Sequence, residues 1–351
     1  MAKTSYFHYD LQLSSYSEPA GTVLKAKLAY RAFGDKSLPA VLLPTCFGGR
    51  VDTELPFLYS EDAAAPFPTS KYYVIVCGLL GGSESSSPSN QDAPHAGLNF
   101  PRTTFVDNIR LQKALCSHLG VRKLFAYVGF SMGGCQAYTM ASAYPEFVER
   151  AIVICGSART SWHNYSFLEG PKAALVNSVD FHGGRYETPP RRGIGAFGRV
   201  YSTWALSQEW FRQKCWEQVG CDSLDAYLES NWERAFDDWD ANDLLCLLWT
   251  WQKGDITKLY PEDNGDLART LARIKAKVLL LPGTTDAYFP PEDNEAEVLS
   301  LGEGKLVAIP SIWGHLAGGG GGTLEDARFI QDQISQFIGV APREFESLSL
   351  S

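Results

Sequence analysis

A serine between glycines, in the order Gly129-Phe130-Ser131-Met132-Gly133, carries the clearest chemical signal in this chain. The residues before it, 124–128, form a short apolar run typical of a strand, and residues 133–141 resemble the start of a helix. A serine on a sharp strand-to-helix turn exposes its hydroxyl, and small neighbours are needed because the backbone there is strained. The next backbone N–H, that of Met132, would face a developing oxyanion. The pattern predicts Ser131 as a catalytic nucleophile.

A serine hydroxyl is a weak nucleophile near neutral pH, so it needs a base, and the base needs an orienting acid. In the fold class that uses such turns, the acid and then the histidine follow the serine along the chain. The six histidines are residues 8, 95, 118, 163, 182 and 315. His315 is the one that follows a strand-like run in the C-terminal part. His163 and His182 fall in a helical region, where ordinary polar contacts are the commoner role.

The acid is predicted at the end of the strand-like run 277–281, where Asp286 follows a Pro-Gly-Thr-Thr turn. Glu292 and Asp293 are the nearest alternatives, but they lie further into the next helix. Tyr288, close after Asp286, is a candidate substrate-binding residue. A second oxyanion donor is expected in the loop 45–49 after the run 40–43, and the N–H of Phe47 is the candidate, with an ordinary glycine turn as the alternative.

Strand-like and helix-like segments alternate through the first 160 residues and again near the C-terminus. This alternation predicts an α/β fold with a mostly parallel central sheet and helices on both faces. The segment between them is rich in Trp and charged residues, and eight of the nine tryptophans lie there. We therefore expect a core formed by residues 1–160 and 266–351, with residues 161–265 as an inserted helical cap. Helices are predicted over 104–119, 206–235 and 241–252, and from Thr323 to before Gly339.

Composition limits the classes of partner. The chain has 351 residues, 45% of them hydrophobic and 20% charged, with a net charge of −9, which predicts a globular protein that binds neither nucleic acid nor anionic membranes. No secretory signal or membrane-spanning run is apparent, so a cytoplasmic location is expected. The eight cysteines show no C-x-x-C pairing and resemble reduced core thiols. No metal-ligand cluster or dinucleotide motif is found, and the sequence does not indicate the oligomeric state.

Several stretches together resemble the homoserine O-acetyltransferase family of the α/β-hydrolase fold. They are Leu80-Gly81-Gly82 with Ser86 and Pro88, Gly129 to Gly134, Asp180 to Tyr186, Phe236-Asp237 through Ala241-Asn242, Thr285-Asp286 with Phe289-Pro290, and Gly314-His315. The resemblance runs through nearly the whole chain. It implies Ser131, Asp286 and His315 as the catalytic triad, a helical cap above it, and an acyl-serine intermediate.

Two positions bear on the substrate. Family members that bind homoserine carry an aspartate directly after the catalytic histidine, where it meets the substrate ammonium, but this chain has Leu316 there. Burying an unpaired ammonium beside leucine is costly. The arginine that binds the substrate carboxylate in the family matches Arg199. The carboxylate partner of an amino-acid substrate is therefore retained and the ammonium partner is not, so a substrate other than homoserine is expected.

The sequence thus predicts a serine-dependent acyl-transfer enzyme. The first hypothesis is an esterase or thioesterase that acts on a fairly apolar, small-molecule acyl ester or thioester, with water or an internal hydroxyl resolving the acyl-enzyme. The alternative is an O-acyltransferase that moves an acyl group from acyl-CoA to an alcohol. A non-catalytic binding protein on the same fold is a third reading. No bound cofactor is expected, and acyl-CoA or another thioester is a candidate substrate.

Overall fold

An eight-stranded sheet organises the chain in the computed structural model, which describes residues 3–14, 18–62 and 64–339. Its strands are β1 (Ser5–Gln12), β2 (Val23–Phe33), β3 (Ala40–Pro44), β4 (Tyr73–Cys77), β5 (Leu124–Phe130), β6 (Arg150–Ile154), β7 (Lys277–Leu281) and β8 (Gly304–Leu306). Their order across the sheet is β1-β2-β4-β3-β5-β6-β7-β8. β1 pairs with β2 and β2 with β4 in antiparallel fashion, and the other pairs are parallel. The mostly parallel sheet confirms the predicted fold class.

The α-helices lie between these strands. They are α1 (Phe105–His118), α2 (Met132–Ala143), α3 (Trp162–Val176), α4 (Arg191–Ala205), α5 (Gln208–Arg212), α6 (Leu224–Leu228), α7 (Ala241–Gln252), α8 (Leu267–Leu271), α9 (Pro291–Val298) and α10 (Leu324–Phe337). The six helices α3 to α8 lie between β6 and β7. The proposed cap, 161–265, contains α3 to α7. The bounds of the cap as a separate domain stay a prediction. Residues 340–351, the end of the proposed core, lie outside the described residues.

The N-terminal ends of two helices show how local sequence defines them. Thr104 accepts a hydrogen bond from the backbone N–H of Asp107, and the Asp107 side chain accepts one from the N–H of Thr104. Thr323 and Asp326 form the same capping box at the start of α10. Each box satisfies N–H groups that a helix start leaves without partners. The helices predicted over 104–119, from Thr323 and over 241–252 are confirmed.

The long helix predicted over 206–235 is wrong. That stretch forms α5, a 3-10 helix at Cys215–Glu217, α6 and a π-helix at Glu229–Glu233. Lys214 has a φ of 51° and Gly220 a φ of 81°, both in the left-handed region, where a right-handed helix cannot continue. The antiparallel pair of β1 and β2 was not predicted. Most residues of β1 are exposed, so its apolar pattern is weak.

The sheet is buried on both faces. Leu42 and Ile75 belong to one apolar cluster, while their strand neighbours Val41 and Val74 belong to the other, and all four are fully buried. Successive residues of a strand point to opposite faces, so central strands buried on both sides must be continuous apolar runs. None of the helices within the described ranges combines the length and apolar character that crossing a bilayer requires.

Candidate active site

Ser131 lies on the sharp turn between β5 and α2. Its backbone has φ 56° and ψ −122°, a conformation that non-glycine residues rarely adopt. A Cβ on Gly129 would lie 2.0 Å from the carbonyl oxygen of Gly133, and a Cβ on Gly133 would lie 3.1 Å from that of Pro44. The glycines are therefore required by backbone contact around the turn. The strand, turn and helix predicted around Ser131 are confirmed.

Asp286 and His315 form a buried hydrogen-bonded pair. His315 Nδ1 lies 2.7 Å from Asp286 Oδ2, and their side chains are 6% and 0% exposed. Asp286 follows β7, and His315 lies in a short 3-10 helix, Gly314–Ala317. The other carboxylate oxygen, Oδ1, accepts the backbone N–H groups of Tyr288 at 2.8 Å and Phe289 at 3.0 Å. These bonds fix the carboxylate, and the carboxylate in turn orients the imidazole.

Three aromatic rings surround the imidazole of His315. Its ring centroid lies 4.7 Å from that of Phe130, 4.8 Å from that of Tyr288 and 5.6 Å from that of Phe289. Phe130 is the last residue of β5 and directly precedes Ser131, so the imidazole packs against the end of that strand. Ser131 is 2% exposed and His315 4% exposed. Both predicted residues are therefore buried, and the buried region around His315 includes Phe130, the residue next to Ser131.

Cys155 also belongs to this region, and the sequence reasoning took it only for a core thiol. Its Sγ, a carboxylate oxygen of Asp286 and a ring nitrogen of His315 lie within 4.8 Å of one another. Burial, followed by the nearby Asp286 carboxylate, raises the pKa of the thiol well above its ordinary value. The signal in the sequence was its position, because Cys155 directly follows β6 at the edge where the other site residues meet.

The trio of Cys155, Asp286 and His315 is also the one group within the described ranges with the donor atoms and spacing to hold a metal ion. Metal binding would require the thiolate and a free ring nitrogen. Burial favours the protonated thiol, and His315 Nδ1 is already hydrogen-bonded to Asp286. The arrangement therefore fits an acid–base pair better than a metal site.

The two predicted oxyanion donors come from neighbouring strands. Phe47 lies in the turn after β3, where the N–H of Gly49 donates to the carbonyl oxygen of Cys46 at 3.1 Å. Met132 is the first residue of α2, and the first N–H groups of a helix have no partner within the helix. Since β3 pairs with β5, both backbone segments leave the same edge of the sheet. The side chain of Phe47 packs against the rings of Phe197, Tyr201, Phe236 and Trp251.

The three candidate substrate-binding residues are placed differently from one another. Tyr288 is 1% exposed and donates its hydroxyl to the carbonyl oxygen of Tyr201 at 2.5 Å. Leu316 is half-buried, directly after His315. The side chain of Arg199 is 41% exposed on α4 and forms an ion pair with Glu233. Arg199 therefore lies outside the buried region around His315, and its place on the surface does not support a role in binding substrate.

The alternative acid and base residues also lie elsewhere. Glu292 and Asp293 are in the first turn of α9, where acidic side chains favourably meet the helix dipole. His163 is exposed, and its ring packs against Trp204 at 4.9 Å. His182 is exposed in a short turn after α3. Among the candidates weighed from the sequence, the structure brings together Asp286 and His315.

A mostly parallel sheet with a strained serine turn after β5, an aspartate after β7 and a buried histidine paired with it after β8 defines the α/β-hydrolase class. The model of the alpha/beta hydrolase fold family matches residues 39–311, and the chain belongs to that family. Membership, together with the relatives described next, marks the chain as an enzyme of the hydrolase type.

The relatives are esterases and acyltransferases. The chain is 33% identical over 285 residues to the ethyl acetate hydrolase of Pseudomonas veronii, with 80% of each protein covered. It matches the crystal structure of an acetyl esterase with a TM-score of 0.90 at 28% identity, covering 96% of each chain. It is 30% identical over 297 residues to the homoserine O-acetyltransferase of Mesorhizobium japonicum, covering 78% of this chain and 74% of that protein. The resemblance to the homoserine O-acetyltransferases is confirmed.

Proposed function

We propose that the chain is a serine esterase that cleaves small acyl esters through an acyl-enzyme on Ser131. The observation that carries the proposal is the buried 2.7 Å hydrogen bond between His315 Nδ1 and Asp286 Oδ2. It lies beside Phe130, the residue before the strained serine turn. Similarity to an ethyl acetate hydrolase and an acetyl esterase supports the same activity.

In the proposed reaction, Ser131 Oγ attacks the ester carbonyl while Nε2 of His315 accepts the hydroxyl proton. Asp286 holds the imidazole with its proton on Nδ1 and stabilises the imidazolium that forms. The N–H groups of Phe47 and Met132 donate to the oxyanion of the tetrahedral intermediate. His315 then protonates the departing alcohol. A water molecule then attacks the acyl-serine while Nε2 of His315 accepts its proton. When the second tetrahedral intermediate collapses, His315 returns that proton to Ser131 Oγ, which releases the carboxylic acid and restores the serine hydroxyl.

The substrate class follows from the walls of the site. Residues 161–265 act as the cap in this proposal, and rings from it pack against Phe47. Aromatic walls favour a small, apolar acyl group and exclude bulk water from the acyl-enzyme. Leu316 offers no partner for an ammonium group, which supports an ester other than one of homoserine. Thioesters present the same carbonyl to Ser131, so acyl-CoA is a second substrate to be tested.

An O-acyltransferase is the second candidate, and the similarity to homoserine O-acetyltransferases favours it. Both enzymes share the acyl-serine and differ only in what attacks it. Product analysis with acetyl-CoA or ethyl acetate, with and without added alcohols, separates the two. Faster appearance of the transferred ester than of acetate would favour the transferase.

Intact-mass spectrometry after mixing with short acyl esters tests the proposal itself. We expect a single acyl adduct on the wild type and none on Ser131→Ala. Ser142→Ala is the matched control, because Ser142 is a buried serine of α2, the helix that follows the turn. An adduct that persists in Ser131→Ala, or a folded wild type that neither forms an adduct nor hydrolyses any of the esters, would contradict the proposal.

A further inference from the structure

A buried carboxyl lies behind the turn that carries Phe47. Glu54 is 4% exposed, and its Oε2 accepts the backbone N–H of Cys46 at 3.4 Å. A Cβ on Gly49 would lie 2.7 Å from the same oxygen, so the turn 46–49 closes directly over the carboxyl. Glu54 therefore touches the chain on both sides of Phe47, whose N–H is the proposed oxyanion donor.

The surroundings of this carboxyl are poor in compensating charge. Its other oxygen, Oε1, is buried and has no hydrogen-bond partner among the described residues. Burial raises the pKa of Glu54 to about 8, against the opposing effect of the Cys46 N–H and thiol. A carboxyl in such a place is a neutral acid near pH 7.

The titratable groups that Glu54 influences are Cys46, Tyr59 and Cys77, and the charges of Arg31 and Asp52 act on Tyr59. Burial raises the pKa of both thiols and raises that of Tyr59 to about 12, so these three groups stay neutral near pH 8. The guanidinium of Arg31 lies 3.7 Å from the carboxylate of Asp52, which offsets its charge. Loss of the Glu54 proton therefore introduces a negative charge that no cation in the described part of the chain pairs with.

We propose that Glu54 is a positioning residue that holds the oxyanion turn in place as a neutral acid. The inference rests on the proposed function, since it needs the Phe47 N–H to stabilise the oxyanion. A neutral carboxyl accepts the N–H of Cys46 without adding charge to the site. An ionised Glu54 places negative charge behind the turn that presents the Phe47 N–H to a negative intermediate, and in a buried site that repulsion is poorly screened.

The ionisation of Glu54 predicts how the rate of ester hydrolysis depends on pH. Ester hydrolysis by the wild type is expected to decline as the pH rises through about 8, when Glu54 loses its proton. Glu54→Gln keeps the shape and the acceptor but cannot ionise, so this alkaline decline should disappear. Glu54→Ala leaves the N–H of Cys46 without its acceptor, and we expect kcat to fall about ten- to a hundredfold with little change in KM.

The experiment measures kcat and KM for p-nitrophenyl acetate from about pH 6 to about pH 9 in the wild type and both variants. Glu84→Gln is the matched control, because Glu84 is a nearby acid with a raised pKa that accepts the N–H of Val51 at 2.9 Å. Only the Glu54 substitutions should alter the alkaline limb or kcat.

An alkaline decline in Glu54→Gln equal to that of the wild type would overturn the inference. Removal of the decline by Glu84→Gln would also overturn it. The Gln variant keeps the test decisive even where Glu54→Ala fails to fold. A wild type with no esterase activity at any pH would instead contradict the proposed function, so the two failures are distinguishable.

Discussion

The hydroxyl of Tyr288 donates to the backbone carbonyl oxygen of Tyr201 at 2.5 Å. Tyr288 belongs to the loop after β7 that holds Asp286, and Tyr201 lies on α4. The side-chain amide of Asn164, on α3, also donates to the carbonyl oxygen of Tyr288. Two helices from the segment between β6 and β7 are thereby tied to the loop that presents the acid, so the position of Asp286 depends on how those helices pack.

Tyr288→Phe should therefore affect both stability and catalysis. The change removes this buried hydrogen bond to the helix carbonyl of Tyr201, which costs about 0.5–1.5 kcal/mol of unfolding free energy. A loosened acid loop should also lower kcat about tenfold. Tyr260→Phe is the control, because the Tyr260 hydroxyl also donates to a backbone carbonyl, that of Ser142, at 2.7 Å. Denaturant unfolding and ester kinetics should show stability loss in both variants, and equal kcat values in the two would contradict the role of Tyr288.

A substitution at Gly318 tests whether the packing of residues next to the His315 imidazole matters for activity. A Cβ there would lie 2.6 Å from Cys155 Sγ and 3.0 Å from the ring of Phe130, and both residues are near His315. Gly318→Ala should therefore displace these neighbours and lower kcat/KM, by about tenfold or more. The measurement is ester hydrolysis beside thermal unfolding.

Two further variants interpret that result. Gly302→Ala should be nearly neutral, because nothing lies within 4 Å of the added Cβ and its φ is not in the left-handed region. Adding Cys155→Ala to Gly318→Ala removes the closer clash and should recover part of the activity. Purely additive effects of these two substitutions would show that the contact between them is not what matters.

Stability should depend on pH through Glu297. Its carboxyl accepts hydrogen bonds from the Tyr138 hydroxyl at 2.7 Å and from the N–H of Ala158 and the Asn294 amide at 2.8 Å each. Burial raises its pKa from 4.5 to about 7. The folded chain keeps this proton over a range in which the unfolded chain has lost it. The stabilisation is therefore complete below pH 4.5 and is lost as the pH rises through about 7.

Glu297→Gln removes that titration. Its free energy of unfolding should change less between about pH 4.5 and about pH 7 than that of the wild type, as measured by urea unfolding across the range. The comparison uses the slope of unfolding free energy against pH in each protein. The substitution also alters the hydrogen bonds of residue 297, which shifts the absolute free energies. Parallel curves for the two proteins would show that Glu297 has the same pKa folded and unfolded.

Arg199→Ala examines the sequence-based assignment of a carboxylate-binding arginine. The exposed pair of Arg199 with Glu233 is worth about 0–1 kcal/mol, and the side chain lies outside the buried region around His315. We expect KM for short acyl esters to change by less than about twofold. Arg191→Ala is a matched control, because Arg191 starts the same helix and pairs with Asp237 at 3.4 Å. A large rise in KM confined to Arg199→Ala would restore its role in binding.

Much of the fold and of the candidate site could be predicted because the relevant signals are local. Gly129 is dictated by contact with the backbone of Gly133 within the serine turn, and the capping boxes of α1 and α10 lie within four residues each. The broken helix after α5 was missed because only two residues with positive φ interrupt an otherwise helical composition. The binding role of Arg199 stays a prediction, because a family resemblance does not show that the side chain is exposed and paired with Glu233.

The amino-acid order by itself determined the class of fold, the serine turn and the identity of the two partners proposed for it, since those depend on short apolar runs, glycines and chain order. Only the tertiary structure decided that Cys155 lies against Asp286 and His315, that Glu54 is buried behind Phe47, and that Arg199 faces solvent. The reason is that burial and contact between distant residues arise when strands pair and helices pack, and the chain's local pattern does not encode which distant groups become neighbours.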